Sequence, residues 1–130
     1  MEKDKIRVLI CDDDVDFRQL MCFWLESKGY SAISVSNGEE AIKVIQNENP
    51  DIVFMDLHMP ILDGVDTIKK IRSFDKDIPI IMISAYVDDP KITLASKYGV
   101  SGIFYKGADF KEGLSLLETI LRTHKKLKNH

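Results

Sequence analysis

The 130 residues are 45% hydrophobic and 30% charged, the composition of a globular domain and neither a disordered nor a collagen-like one. A net charge of −3 gives no electrostatic reason to expect a nucleic acid as direct partner. No run reaches the roughly 20 apolar residues of a membrane span, and the opening "MEKDKIRVLI" shows no secretory signal.

The chain is long enough for one domain with its own core. Its two cysteines, Cys11 and Cys22, have neither C-x-x-C nor zinc-like spacing, and read as reduced thiols of a cytoplasmic protein.

Five short β-branched runs stand out in chain order: 6–11, 31–35, 51–56, 78–84 and 101–106. Several are almost continuously apolar, as strands covered on both faces must be. The helix after the first carries Phe17, Leu20, Met21, Trp24 and Leu25 at helical spacing, and Gly29 suits a left-handed cap. The second helix opens at "SNGEEAI", where Ser36 and Glu39 have capping-box spacing. The third follows "LDG", with Val65, Ile68 and Ile71 or Arg72 in register. The fourth is expected over 88–98, closing at Gly99. The last starts at "ADFKEGL", with Asp109 and Glu112 as a cap pair and Phe110, Leu114, Leu117 and Leu121 buried.

Five β–α units in succession predict an α/β doubly wound parallel sheet with helices on both faces. The domain is expected over 1–122, with 123–130 as a basic tail or the start of a linker, whose cations suit a helix C-terminus.

Ligands of such folds sit beyond the carboxyl ends of the strands. Those ends deliver Asp12 and Asp13 from the first strand, Asp56 from the third, Ser84 from the fourth and Lys106 from the fifth. Asp14 reads as the cap of the first helix. Singly, Ser84 reads as a satisfied strand-end hydroxyl and Lys106 as a surface lysine; together the five are not a chance assortment. Converging carboxylates need a counter-charge, and an open oxygen-rich site suits Mg²⁺, with Mn²⁺ as a substitute. Lys106 and Ser84 would complete an anion site around a phosphoryl group on Asp56.

The ordered set "CDDD", "MDLHMP" with "LDG", "ISA" and "YK" resembles the receiver domain of bacterial two-component response regulators, over about residues 5–122. The resemblance implies a flavodoxin-like (βα)5 fold with strand order 2-1-3-4-5. It implies a phosphoacceptor at Asp56, loaded by a histidine kinase or a phosphotransfer protein. Asp13 and Asp56 match direct metal ligands, Asp12 a ligand through water, and His58 a backbone-carbonyl ligand. Ser84 matches the switch hydroxyl and Lys106 the phosphate-binding lysine. Such a protein is a signalling phosphoacceptor rather than an enzyme with a separate substrate, and phosphorylation-dependent dimers are one outcome. The output protein or effector domain is left unknown by the sequence, and a stand-alone receiver and a piece of a longer regulator both fit.

Two positions depart from the family pattern. Gly107 stands where proline commonly follows the lysine, which loosens the loop. Ile103 stands where an aromatic commonly reports phosphorylation. Arg18, Cys22 and Phe23 are expected beside the acidic site, off the main apolar stripe of the first helix, as a docking patch.

Three alternatives compete. A flavin- or nucleotide-binding protein is disfavoured because three aspartates would repel a phosphate ligand. A haloacid-dehalogenase-type phosphatase would need D-x-D-x-T, whereas the chain has "DDDVD". A degenerate receiver acting as a protein-interaction module is the third.

Overall fold

The computed structural model describes residues 5–124. Ten elements alternate along it: β1 (Arg7–Cys11), α1 (Val15–Ser27), β2 (Ser31–Val35), α2 (Gly38–Glu48), β3 (Ile52–Asp56), α3 (Gly64–Phe74), β4 (Ile80–Ser84), α4 (Pro90–Ser96), β5 (Gly102–Tyr105) and α5 (Phe110–Thr123). The strands pair in parallel in the order β2-β1-β3-β4-β5. This is the flavodoxin-like order. Of the basic tail 123–130, Thr123 still belongs to α5, His124 caps it, and residues 125–130 lie outside the described ones.

Alternation along each strand splits the core in two. Val8, Ile10, Ile52, Phe54, Ile81, Ile83 and Phe104 face α1 and α5, where Phe17, Met21, Leu25, Leu117 and Leu121 meet them. Leu9, Cys11, Val53, Met55, Ile80 and Met82 face the opposite layer, with Ile45, Ile68, Ile71 and Ala95. Every residue of β3 and β4 is buried, which explains their unbroken apolar sequence. The edge strands β2 and β5 are less enclosed. Both cysteines are free thiols; burial first, then Asp56 and Asp12, pushes the Cys11 thiol up.

All five helices start from an Asx cap whose side-chain oxygen accepts a backbone N–H: Asp14, Asn37, Asp63, Asp89 and Asp109. Four expectations need correction. Leu20 is 59% exposed, because the buried stripe of α1 is Phe17, Met21 and Leu25. The α2 box is shifted by one: Asn37 caps Glu40 N, and the Glu40 carboxylate reaches back to Ser36 N. α4 is shorter than 88–98 because Pro90 takes its first position directly after Asp89. Phe110 and Leu114 are half-buried, while Ile120 joins Leu117 and Leu121 in the core.

Candidate functional site

The parallel strands all end at one edge, and that edge collects polar residues from the strand ends. Asp12 directly follows β1, Asp56 ends β3, Ser84 ends β4, and Lys106 directly follows β5. Gly64 lets the start of α3 close against this edge: a Cβ there would come within 2.1 Å of the Asp56 carbonyl oxygen.

Among the described residues, one carboxylate oxygen from each of Asp12, Asp13 and Asp56 lies within 4.8 Å of the others. Asp12 is wholly enclosed, Asp56 nearly so, and Asp13 is exposed. Asp12 Oδ1 accepts from Asp14 N at 2.9 Å and Lys106 Nζ at 3.2 Å. Its Oδ2 lies 3.0 Å from the ammonium but receives no well-directed hydrogen bond. Asp56 Oδ1 accepts from His58 N at 3.0 Å, and Oδ2 lies 3.8 Å from Lys106 Nζ. The Lys106 ammonium also stands 5.0 Å from the Phe17 ring centre.

These charges are unbalanced. Burial pushes the Asp56 carboxyl up to about 7, against the pull of the His58 amide, and Asp12 adds to the rise while Lys106 opposes it. Burial alone would lower Lys106, but Asp12 and then Asp56 outweigh it and hold the ammonium charged. One lysine faces two buried carboxylates and an exposed third. A hard divalent cation suits this donor set: oxygen ligands, one open side, and an under-served oxygen on Asp12.

The opening beside these groups is a cleft of about 200 Å³ lined by Asp13, Asp56, His58, Ala85, Tyr86 and Lys106. A larger groove of about 650 Å³ lies between α2 and α3, but its lining brings no such carboxylate cluster together.

Ser84 arrives at the same edge but its hydroxyl is turned aside. It accepts from Tyr86 N at 3.0 Å and can donate to Tyr86 O at 3.0 Å or Asp89 Oδ2 at 2.9 Å. The His58 ring is likewise committed, with Nε2 2.6 Å from Asp89 Oδ2. Asp89 is the residue that sequence reasoning missed: it reads as a helix-start aspartate, and the "DP" pair marks only the cap. Its carboxyl is held below the usual range because the Lys91 amide, His58 and Ser84 outweigh burial.

The two departures have local answers. Gly107 sits in a turn closed by Ala108 N to Tyr105 O at 2.9 Å, while Lys106 N bonds Ser84 O at 3.0 Å; the described peptide bonds are all trans. Ile103 packs in the α2–α4 layer, and two residues on along the chain the Tyr105 hydroxyl lies 3.5 Å from Val87 O in the β4–α4 loop. On α1, Arg18 Nη1 donates to Asp12 O at 2.7 Å. Phe23 is 75% exposed, while Cys22 packs half-buried against the core.

The model of the response regulator receiver domain matches residues 8–124. The chain belongs to this family. As a receiver domain it is a component of two-component signalling. It is 35% identical over 118 residues to a probable transcriptional regulator, ycf27, of Guillardia theta, covering 91% of this chain and 46% of the relative. It is 31% identical over 116 residues to the alkaline phosphatase synthesis transcriptional regulatory protein PhoP of Bacillus subtilis, covering 89% and 48%. The receiver thus spans about half the length of the curated relatives it matches. Among solved structures it resembles a two-component response regulator from Clostridium difficile, with TM-score 0.84 and 30% identity over 91% of this chain and 97% of that one. The chemotaxis protein CheY4 of Vibrio cholerae matches with TM-score 0.84 and 27% identity, covering 90% and 99%. Among the described residues no helix is long and apolar enough to cross a membrane.

Proposed function

We propose that Asp56 is the phosphoacceptor of this receiver. Support comes from one observation above the rest: Asp56 ends β3 inside a cleft where Asp12, Asp13 and Lys106 converge on it.

A carboxylate oxygen of Asp56 attacks the phosphorus of a phosphohistidine, forming a P–O bond as the P–N bond breaks. The imidazole leaves with the electron pair and takes up a proton, and Asp56 becomes an acyl phosphate. Lys106, 3.8 Å from Asp56 Oδ2, is near enough to neutralise phosphoryl oxygens as they gather charge. The His58 amide fixes the rotation of the Asp56 carboxylate. Asp13, Asp56 and the His58 carbonyl would hold Mg²⁺ or Mn²⁺, with Asp12 through water. When bound, the ion supplies charge neutralisation for the transferred group. Water attacking the acyl phosphate reverses the modification, so the domain limits its own signal and is not an enzyme with a separate substrate.

Response regulator receivers interact with histidine kinases and output domains. The donor proposed here is the phosphohistidine of a histidine kinase or phosphotransfer protein, in the cytoplasm, with the exposed Phe23 of α1 as a docking contact. Phosphorylation-dependent dimerisation is a further proposed outcome. Neither the interaction-module nor the haloacid-dehalogenase alternative finds support in the comparisons.

The test is intact-protein mass after incubation with Mg²⁺ and acetyl phosphate. One added phosphoryl group is expected, and none in Asp56→Asn. An unchanged gain in that variant would move the acceptor elsewhere.

A further inference from the structure

We propose that Asp89 is a positioning residue that restrains the switch: it holds the Ser84 hydroxyl away from Asp56 and so competes with a phosphoryl group there. The proposal rests on the reading of Asp56 as acceptor.

Capping α4 requires a single oxygen, and Oδ1 supplies it, accepting Lys91 N at 2.9 Å. Oδ2 serves another purpose. It meets Ser84 Oγ at 2.9 Å and His58 Nε2 at 2.6 Å, in a residue only 5% exposed. Both partners lead back to the acceptor. His58 gives its amide to Asp56 Oδ1. Ser84 follows Ile83, the ladder partner of Asp56 across β3 and β4.

A hydroxyl has one hydrogen to give. While Ser84 donates to Asp89, the bond is charge-assisted and well shielded, and the hydrogen cannot serve an oxygen on Asp56. Drawing Ser84 toward a phosphoryl group therefore means breaking a bond to a buried carboxylate. Turning Ser84 inward also gives up its hydrogen bonds with Tyr86 N and O, and so frees the loop that carries the exposed Tyr86 and Val87. Asp89 thus sets how much of the phosphorylation energy is used up in turning the switch.

Asp89→Asn separates this role from capping. Its amide oxygen is needed by Lys91 N, so the NH₂ group faces Ser84 and His58 and cannot accept the hydroxyl hydrogen. Asp89→Ser keeps a capping hydroxyl but is one atom shorter, and serves as the second variant.

The probe is beryllofluoride with saturating Mg²⁺, titrated while the amide resonances of Ser84 and Tyr86 are followed. Relative to the parent, Asp89→Asn and Asp89→Ser should bind about fivefold more tightly, or about 1 kcal/mol at 1.4 kcal/mol per tenfold. In the Ser84→Ala background, Asp89→Asn should change nothing. Tightening that persists without the Ser84 hydroxyl, or unchanged affinity in both Asp89 variants, overturns the competition. Failure of the parent itself to bind beryllofluoride would overturn the Asp56 reading instead, and this proposal with it.

Discussion

Lys106 stands closer to Asp12 than to Asp56: its ammonium lies 3.0 Å from Asp12 Oδ2 and 3.8 Å from Asp56 Oδ2. In this state the lysine chiefly serves as the counter-ion of a fully enclosed carboxylate. Breaking a buried pair from one side leaves an uncompensated charge, which costs more than the pair itself contributes. Lys106 is partly exposed and Asp12 keeps the Asp14 amide, so the loss is moderated. Lys106→Met should destabilise the metal-free domain by about 2 kcal/mol in urea denaturation. Mg²⁺ should recover part of it. A variant as stable as the parent without Mg²⁺ would show that Asp12 needs no counter-charge.

The raised carboxyl of Asp56 makes stability depend on pH in a definite direction. Folding lifts this group from 3.8 to about 7, so across that window the folded protein holds a proton that the unfolded chain has lost. Its contribution is therefore fully present below about pH 4 and declines until about pH 7. Asp56→Asn removes the penalty. In metal-free buffer the variant should be the more stable by roughly 1–2 kcal/mol near pH 8, with the gap closing toward about pH 4. Mg²⁺, which favours the ionised carboxylate, should narrow it as well. Thermal melts across this range, with and without Mg²⁺, provide the check.

Much of this was legible because the sheet is covered on both faces. Runs such as "IVFMD" and "IIMIS" are apolar throughout, and the polar residue closing each run is the one at the site. What escaped is decided by how each element packs, which spacing alone leaves open. Ser36 and Asn37 both make good caps, and only the packed helix start chooses Asn37. Leu20 has the right spacing from Phe17, yet the α1 stripe advances by fours. The direction of the Ser84 hydroxyl is set by Asp89, five residues on across a loop, and by a His58 ring 31 residues before Asp89. No local pattern encodes that.

Ile61 carries backbone strain in the loop between β3 and α3. Its φ is +70°, and Leu62 N donates to Pro60 O at 2.9 Å, so it is the centre of a γ-turn of the rare, strained kind. A β-branched residue is poorly suited to this region, and at 96% exposure the side chain gains no packing in return. Ile61→Gly should raise stability by about 1 kcal/mol, the relief of left-handed strain less the greater entropy of a glycine chain when unfolded. Ile61→Ala should gain less, since the Cβ remains. A loss of stability in Ile61→Gly, measured by urea denaturation, would mean that the exposed side chain has a stabilising role.

Arg72 gathers three chain segments at the far end of the sheet. Nε donates to Tyr98 O at 3.0 Å, Nη1 to Asp75 O at 3.0 Å, and Nη2 to Ile78 O at 2.8 Å and Gly99 O at 2.7 Å. Burial lowers its pKa, while Asp75 and Asp77 offset part of that cost. The cluster joins the end of α3 to the approach to β4 and to the turn before β5. Arg72→Ala leaves four carbonyls without this donor and should cost about 3 kcal/mol. Arg72→Lys should recover little, because a single ammonium cannot span the fork. Hydrogen exchange should show lost protection at Ser101 N, which bonds Ile80 O at the start of β4. Full rescue by lysine would show that charge alone, rather than the guanidinium geometry, holds these segments.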